Sequence, residues 1–307
     1  MRNRCLAISA PLILSILTLP ALARTSYQGS FERTLSVNGP ANLEVYTHSG
    51  DVTIHAGAAG SIHVIGRIHV EDRWLSGGRK DQVAELQNNP PIHQNGLTVK
   101  VDYVPFREIS IDYEITVPAD TTVRSETGSG NQTMNGLRSG MNAHSGSGDL
   151  RLDDVAGAVH VQTGSGNIEA HKLAGSLEAK TGSGDMRIEE TGSGDVRAEA
   201  GSGNIEVAGI DGGARVDTGS GNIDLSGKPS ASWYVKAGSG NADLRLPDQA
   251  GFNVDVSTGS GTMNLDHPVT TTVQGRVQSP QKSISGQVRG GGPLVTVHTG
   301  SGDIRIH

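Results

Sequence analysis

The sequence predicts an all-β fold: a single-domain parallel β-solenoid built from coils of about 18–20 residues with Gly-Ser-Gly corners. Three observations predict it. They are a recurring Gly-Ser-Gly motif, strict alternation of apolar and polar residues on both sides of that motif, and a scarcity of aromatic side chains. The chain of 307 residues has 43 glycines, and only 3% of its residues are aromatic. This composition excludes a large aromatic core and fits a narrow interior lined by aliphatic side chains.

The Gly-Ser-Gly motif recurs at intervals of 18–21 residues up to Gly259, and a longer step leads to the last motif at Gly300. The motif at Gly192 falls inside one interval as a second corner of the same coil. A repeat of this length holds two short strands that cannot bury a face alone, so the coils must stack. Antiparallel hairpins in a sandwich would instead give irregular spacing. The motif starts at Gly128, Gly146, Gly164, Gly182, Gly192, Gly201, Gly219, Gly238, Gly259 and Gly300.

Apolar residues occupy every second position before each corner, as at Val159 and Val161, and again after it, as at Ile168. Polar residues such as His160 and Glu169 take the positions between them. A period of two residues is typical of strands with one buried and one exposed face. Each coil is therefore predicted to run strand, corner, strand, with glycine supplying the positive φ that a tight corner requires.

The first 23 residues have the pattern of a signal peptide. Arg2 and Arg4 precede an apolar run over residues 6–19, and Ala21-Leu22-Ala23 is a small-x-small cleavage site. The apolar run is too short and interrupted for a good membrane span, so no transmembrane anchor is predicted. Export would place the chain in the periplasm, the cell envelope or the extracellular space.

The remaining chain, residues 24–307, is predicted to form one β-solenoid domain because no linker interrupts it. Its first coils, residues 24–124, repeat irregularly and include a short helical insertion near residues 79–87. Regular repeats occupy residues 125–266. A loop or cap followed by a last coil accounts for residues 267–307, and this last coil is expected to end the solenoid with an unpaired strand edge.

The residue after each corner forms a predicted ladder of asparagine and aspartate. Stacked coils lie about 4.8 Å apart, where like charges repel. Alternation of Asn with Asp avoids this repulsion and allows amide donors to meet carboxylate acceptors. We therefore predict a structural turn ladder with no catalytic role. It comprises Asn131, Asp149, Asn167, Asp185, Asn204, Asn222 and Asn241 and continues to Thr262.

Several segments together resemble a known family. These are residues 43–54 and 111–119, the Thr-Gly-Ser-Gly-Asp/Asn repeats, and the ending at residues 290–306. In their order and spacing they are similar to the putative-adhesin family of bacterial envelope proteins, the DUF4097 group. The resemblance implies a β-solenoid, a role in adhesion and an association with envelope stress, and it supplies no catalytic residues.

Candidate metal and cofactor sites were weighed against structural interpretations. The nine-residue step from Gly192 to Gly201 is similar to calcium-binding nonapeptide repeats, but Val196 and Ile205 stand where that motif requires Asp. The histidines show no metal-binding pattern, and no Gly-x-Ser-x-Gly nucleophile motif occurs. We predict no catalytic, metal-binding or cofactor-binding residue.

Two functional classes remain. The first is a non-enzymatic, exported envelope module for adhesion, binding or scaffolding, with an envelope protein or glycan as partner. The alternative is a polysaccharide-active β-helix lyase or hydrolase, which would need clustered acids and aromatic platforms along a groove. The net charge of −7 opposes binding to nucleic acid. The oligomeric state is left open.

Export is predicted to remove residues 1–23, because a suitable cleavage site follows the apolar run only at Ala21-Leu22-Ala23. Mass spectrometry of the protein purified from an expressing bacterium should find Arg24 at the N-terminus. A retained Met1 would contradict the export prediction.

Overall fold

The computed structural model describes residues 26–70, 78–106, 108–270 and 283–307. Within these residues the chain forms 25 strands and one helix, and most strands pair in parallel as stacked coils of a near-closed solenoid. The predicted fold class is confirmed. The predicted signal peptide, residues 1–23, lies outside the described residues, as does part of the predicted cap, residues 271–282.

The elements follow one another in three groups. The first coils contain β1 (Ser26–Ser36), β2 (Asn42–Thr47), β3 (Val52–Gly57), β4 (Ser61–Val70), α1 (Gly78–Asn88), β5 (Ile92–Asn95), β6 (Thr98–Val101), β7 (Ile109–Pro118) and β8 (Thr122–Thr127). The regular coils contain β9 (Gln132–Asn135), β10 (Met141–Ser145), β11 (Leu150–Asp153), β12 (Val159–Thr163), β13 (Ile168–Leu173), β14 (Leu177–Ser183), β15 (Met186–Glu190), β16 (Val196–Ser202), β17 (Ile205–Ser220), β18 (Ile223–Ser239), β19 (Ala242–Arg245), β20 (Phe252–Ser260) and β21 (Met263–Leu265). The last group is β22 (Val269–Thr270), β23 (Ser283–Val288), β24 (Leu294–Ser301) and β25 (Ile304–Ile306).

Each regular coil places one strand before a Gly-Ser-Gly corner and one after it, so the solenoid has a pre-corner face and a post-corner face. Neighbouring coils are in register: Val159 lies opposite Leu177 on the pre-corner face, and Ile168 opposite Met186 on the post-corner face. The pre-corner face runs β5, β6, β2, β8, β10, β12, β14, β16, β17, β18, β24, β20, β23, β22. The post-corner face runs β1, β4, β7, β3, β9, β11, β13, β15, β17, β18, β19, β25, β21.

The corner glycines are required by the close stacking of the coils. A Cβ atom added to Gly148 would lie 1.9 Å from the carbonyl oxygen of Gly130 in the preceding coil, and one added to Gly166 would lie 2.0 Å from that of Gly148. Neither Gly148 nor Gly166 has a positive φ. The expectation that these corners need glycine for its backbone conformation is therefore wrong at these positions, where the lack of a side chain is what matters.

A column of buried hydroxyl groups forms hydrogen bonds with the backbone of most corners. Ala200 and Ala237 interrupt this column before the corners at Gly201 and Gly238. The Ser145 hydroxyl accepts a hydrogen bond from the Gly148 N–H (2.8 Å) and donates one to the Gly130 carbonyl (3.1 Å). Thr163 repeats both bonds one coil later, with the Gly166 N–H and the Gly148 carbonyl. Equivalent hydroxyls bond corner backbone groups at Thr127, Thr181, Thr218, Thr258 and Thr299.

The N-terminal coils depart from the parallel pattern. Strand β4 pairs antiparallel with both β1 and β7, and β5 pairs antiparallel with β6. Helix α1 confirms the predicted insertion and packs on β1, where Val83 and Leu86 are buried. Arg33 of β1 donates to the carbonyl groups of Gln87 and Asn88 at the end of the helix. This arrangement covers the first coils with an antiparallel cap.

The last coil lies between two earlier coils, which corrects the prediction that it ends the solenoid. Strand β24 pairs with β18 on one side and β20 on the other, and β25 pairs with both β19 and β21. The predicted free edge at residues 304–307 is therefore already occupied. The order of the coils in the sequence therefore differs from their order in space. Strand β20 is followed instead by the antiparallel strand β23.

One carboxyl group lies in the aliphatic interior. Glu190 is 4% exposed and lies opposite Leu173, at the position that Val155 and Leu137 take in earlier coils. Neither of its carboxyl oxygens has a hydrogen-bond partner among the described residues. Burial raises the pKa of Glu190 from 4.5 to about 7, since an ionised carboxylate is poorly stabilised in an apolar interior.

Replacement of Glu190 by Gln should remove a pH dependence of stability. The folded state binds the proton of Glu190 more tightly than the unfolded chain does. The contribution of Glu190 to stability is therefore greatest below pH 4.5 and falls as the pH rises to about 7. The shift corresponds to about 3 kcal/mol. Glu190→Gln should therefore be more stable than the parent at pH 8 by up to about 3 kcal/mol, with little difference near pH 4.5, in urea titrations.

The neighbouring Glu189 provides the matched control, because it is exposed and lies 3.4 Å from His171. Glu189→Gln should leave the fall in stability between pH 4.5 and pH 7 in place. An equally steep fall in the Glu190→Gln protein would show that Glu190 is not its source.

Candidate functional site

The seven predicted ladder residues form one continuous column along the corners. In each step the side-chain Oδ1 of one residue accepts a hydrogen bond from the backbone N–H of the next, over 2.7–3.0 Å. For example, Asp149 N–H donates to Asn131, and Asn167 N–H donates to Asp149. Both Asn and Asp supply this oxygen, so both residue types fit every step.

The side-chain bonding differs from the predicted pairing of amide donors with carboxylate acceptors. Among the described ladder residues that pairing occurs once, where Asn204 Nδ2 donates to Asp185 Oδ1 over 3.2 Å. The recurring bond uses the backbone as donor instead. Alternation with Asn is thus not needed for bonding, and its remaining physical effect is to separate the charges.

The ladder extends beyond the predicted residues at both ends. At one end Asn131 N–H donates to Asp51, whose own N–H donates to Asp112. Two acids are adjacent there, unlike in the predicted segment.

At the other end of the ladder, Asp303 N–H donates to Asn241, and Asp303 accepts from Thr262. Bonds from the backbone and side chain of Thr262 lower the pKa of Asp303. The inserted last coil therefore contributes a ladder residue that the sequence spacing could not place.

The post-corner face carries a column of exposed charges beside the ladder. Arg151 pairs with Glu169, and Arg187 pairs with Glu206 over 2.8 Å, each across neighbouring coils. The next two residues of the column are Asp224 and Asp243. Two shallow depressions of about 290 and 410 Å³ lie between this column and the ladder. These arginines already have carboxylate partners, so neither depression offers an unpaired arginine among the residues that line it.

A groove of about 420 Å³ crosses the pre-corner face. Five consecutive coils line it, and its floor is low because Ser176, Gly213 and Ser232 are small. Its charged and aromatic side chains are His160, Glu178, Asp195, Arg197, Arg215 and Tyr234. Tyr234 is half-buried and lies at one end of this groove.

The charged side chains in the groove have different hydrogen-bond and ion-pair partners. Asp195 Oδ1 accepts from the Gly213 N–H over 2.8 Å. The pKa of Glu178 is lowered, chiefly by the hydrogen bond from Lys180. Arg197 pairs with Glu199 over 2.5 Å. The groove therefore holds carboxylates that already have donors.

Arg215 is bonded differently from the other charged groups. Its guanidinium carbon lies 4.7 Å from the centre of the Tyr234 ring, a cation–π arrangement. Within the described residues, no carboxylate lies within 4.0 Å of Arg215. No sequence motif marks this pair, and only the register between β17 and β18 brings Arg215 opposite Tyr234.

A second aromatic cluster lies on the first coils of the same face. Tyr103 is 43% exposed, and its ring stacks on His48 with centroids 4.5 Å apart. Tyr46 lies 5.8 Å from Tyr103, and the Lys100 ammonium lies 5.3 Å from the Tyr46 ring centre. No sequence motif indicates this cluster, although Tyr46 occupies an outward position of its strand.

The described residues contain no group of three or more His, Cys, Asp or Glu side chains that could hold a metal ion. The histidines make separate contacts instead: His63 Nδ1 lies 3.1 Å from the Thr34 hydroxyl, and His69 lies 2.8 Å from Asp112. Over the same part of the chain, no helix is long and apolar enough to cross a membrane.

Replacement of Asn167 by Asp should destabilise the solenoid by about 1 kcal/mol, because it places three carboxylates on consecutive coils. The new side chain can still accept the hydrogen bond from the Asp185 N–H, so the loss would report charge repulsion. Thermal unfolding should show the loss, and added salt should reduce it.

Asn222→Asp is the matched control, since its ladder neighbours Asn204 and Asn241 are both neutral. An equal loss in both variants would contradict charge separation as the cause. A large rise in melting temperature of the parent and the Asn167→Asp protein with calcium would show that the ladder is a metal site.

Among the comparisons with known proteins, the match to a family model confirms the resemblance found in the sequence. Two solved structures are similar to the chain: a putative cell adhesion protein from Clostridium sporogenes and a putative adhesin from Bacteroides fragilis, each 12% identical. The match covers 91% of this chain in both cases, with 99% and 98% of the other chain and TM-scores of 0.22 and 0.27. No curated protein matches. The family model described as Toastrack DUF4097 matches residues 40–307, and the chain belongs to that family.

Proposed function

We propose that the protein is a non-enzymatic, exported module of the cell envelope that binds or scaffolds an envelope glycan or protein. The observation that carries this proposal is the groove across five coils of the pre-corner face. Its side chains stand on strands that are paired in register on both sides. A surface of this kind holds polar groups in fixed positions, which favours recognition of an extended partner.

The positions and the hydrogen-bond partners of the carboxyl groups favour binding over catalysis. Hydrolysis of a glycoside by the usual route needs an acid with a raised pKa facing a second carboxylate across the substrate. Glu190 has a pKa raised to about 7, but it lies in the interior, where a polymer cannot reach it. In the groove, Asp195 and Glu178 are engaged by a backbone N–H and by Lys180.

Export to the envelope belongs to the same proposal and rests on the signal-peptide pattern of residues 1–23. A role in envelope stress is a further part of it, and it rests only on the family resemblance. The alternative function, a polysaccharide lyase or hydrolase, draws its support from the groove and from the exposed aromatic cluster around Tyr103.

Purified mature protein should bind at least one envelope polysaccharide or envelope protein without turnover. Binding can be measured by biolayer interferometry on immobilised fractions, and turnover by the release of reducing ends or unsaturated products. Turnover that disappears in Asp195→Asn or Glu178→Gln would contradict the proposal and favour the enzyme. Asp248→Asn, an exposed position outside the groove lining, is the control.

A further inference from the structure

The groove on the pre-corner face places two arginines on neighbouring coils. Arg197 and Arg215 lie directly opposite each other in the register of β16 and β17. Like charges at this spacing oppose the folded arrangement unless a negative group lies between or beside them. Arg197 has such a group in Glu199, and Arg215 has none within 4.0 Å among the described residues.

The contact with Tyr234 orients the Arg215 guanidinium without using its N–H groups. A guanidinium that lies over an aromatic ring keeps its donors in a planar fork, and this fork matches the two oxygens of a carboxylate. Arg215 is exposed and lines the groove. The site is therefore prepared for an anionic group that is not part of the described chain.

The rest of the groove is suited to hydroxyl groups. Ser176 and Ser232 are exposed in it, His160 lies near one end, and Glu178 and Asp195 present carboxylate oxygens. These side chains combine hydrogen-bond donors with acceptors, as sugar hydroxyls require. The five coils span roughly 19 Å at the usual strand spacing, which is long enough for several sugar rings.

The geometry favours a glycan over an acidic peptide. Peptides that extend a sheet need a strand edge with free N–H and C=O groups. Strands β14, β16, β17 and β18 are each paired on both sides here, so this face offers no such edge. A ligand must instead be held by side chains, across the direction of the strands.

We propose that the groove binds a carboxylated polysaccharide, with a sugar carboxylate on the Arg215 guanidinium and sugar hydroxyls on the serine and acid side chains. This inference rests on the proposed binding function and specifies its ligand class. The chain has a net charge of −7, which opposes binding of an acidic polymer at long range. Binding therefore depends on the local contact with Arg215.

Isothermal titration calorimetry with oligogalacturonate, a defined polymer of uronate sugars, tests the proposal. The parent protein should bind it, and Arg215→Gln should weaken the affinity by about tenfold or more, as expected for a lost charge-assisted bond. The methyl-esterified oligomer should bind as weakly to the parent as the charged oligomer does to Arg215→Gln. Higher salt should weaken binding of the charged oligomer.

Arg187→Gln is the matched control, because it removes an exposed arginine from the opposite face, where it pairs with Glu206. It should retain the parent affinity. Tyr234→Leu removes the ring beneath the guanidinium and should weaken binding as well, while thermal unfolding of each variant establishes that it is folded. Failure of the parent to bind oligogalacturonate, or equal affinity in Arg215→Gln, would overturn the inference.

Two comparisons separate the outcomes. Oligoglutamate of equal charge should bind much more weakly than oligogalacturonate, and equal affinity would assign the groove to acidic peptides instead. If Arg215→Gln leaves the binding of envelope polysaccharides unchanged and no turnover occurs, the carboxylate site is wrong and the binding module stands. Turnover of these polysaccharides would instead contradict the proposed function itself.

Discussion

A Cβ atom has no room at the Gly-Ser-Gly corners, where the backbone of each coil rests on that of the coil before it. The added atom would lie about 2 Å from a carbonyl oxygen at Gly148, Gly166 and Gly184. Two sets of hydrogen bonds stabilise this contact between coils. A buried hydroxyl bonds most corners from inside, and an Asn or Asp oxygen bonds the ladder corners from outside. Polar backbone groups at these corners therefore have hydrogen-bond partners on both sides, and these bonds fix the position of each coil against the one before it.

The surface chemistry follows from this stacking. Because the coils are in register, every outward position becomes a column whose members are nearest neighbours. On the post-corner face the column places Arg151 beside Glu169 and gives ion pairs. On the pre-corner face it places Arg215 beside Tyr234 and beside a second arginine. The same constraint therefore pairs arginines with carboxylates on one face and leaves a groove with an available cation on the other.

The sequence predicts those parts of the structure that repeat. The period of the Gly-Ser-Gly motif predicts the length of each coil, and the alternation of apolar and polar residues predicts which side chains are buried. The residue after each corner identifies the ladder. The hydroxyl column was missed, although Thr or Ser precedes most corners, because a buried polar residue and a turn residue look alike in the sequence. The insertion of β24 and β25 was also missed. Their corner has the same motif as its neighbours, so local sequence does not say between which coils it stacks.

The groove was the least predictable feature, because it depends on pairs such as Arg215 and Tyr234 that lie 19 residues apart and belong to no motif. The ladder gives the most direct test of the central claim, that hydrogen bonds between corners hold the coils together. Amide hydrogen exchange followed by NMR should find the N–H groups of Asp149, Asn167 and Asp185 protected to the same degree as those of the buried strands, although these residues are exposed. Exchange as fast as at the exposed residues Asn38 and Gly39 would contradict the account.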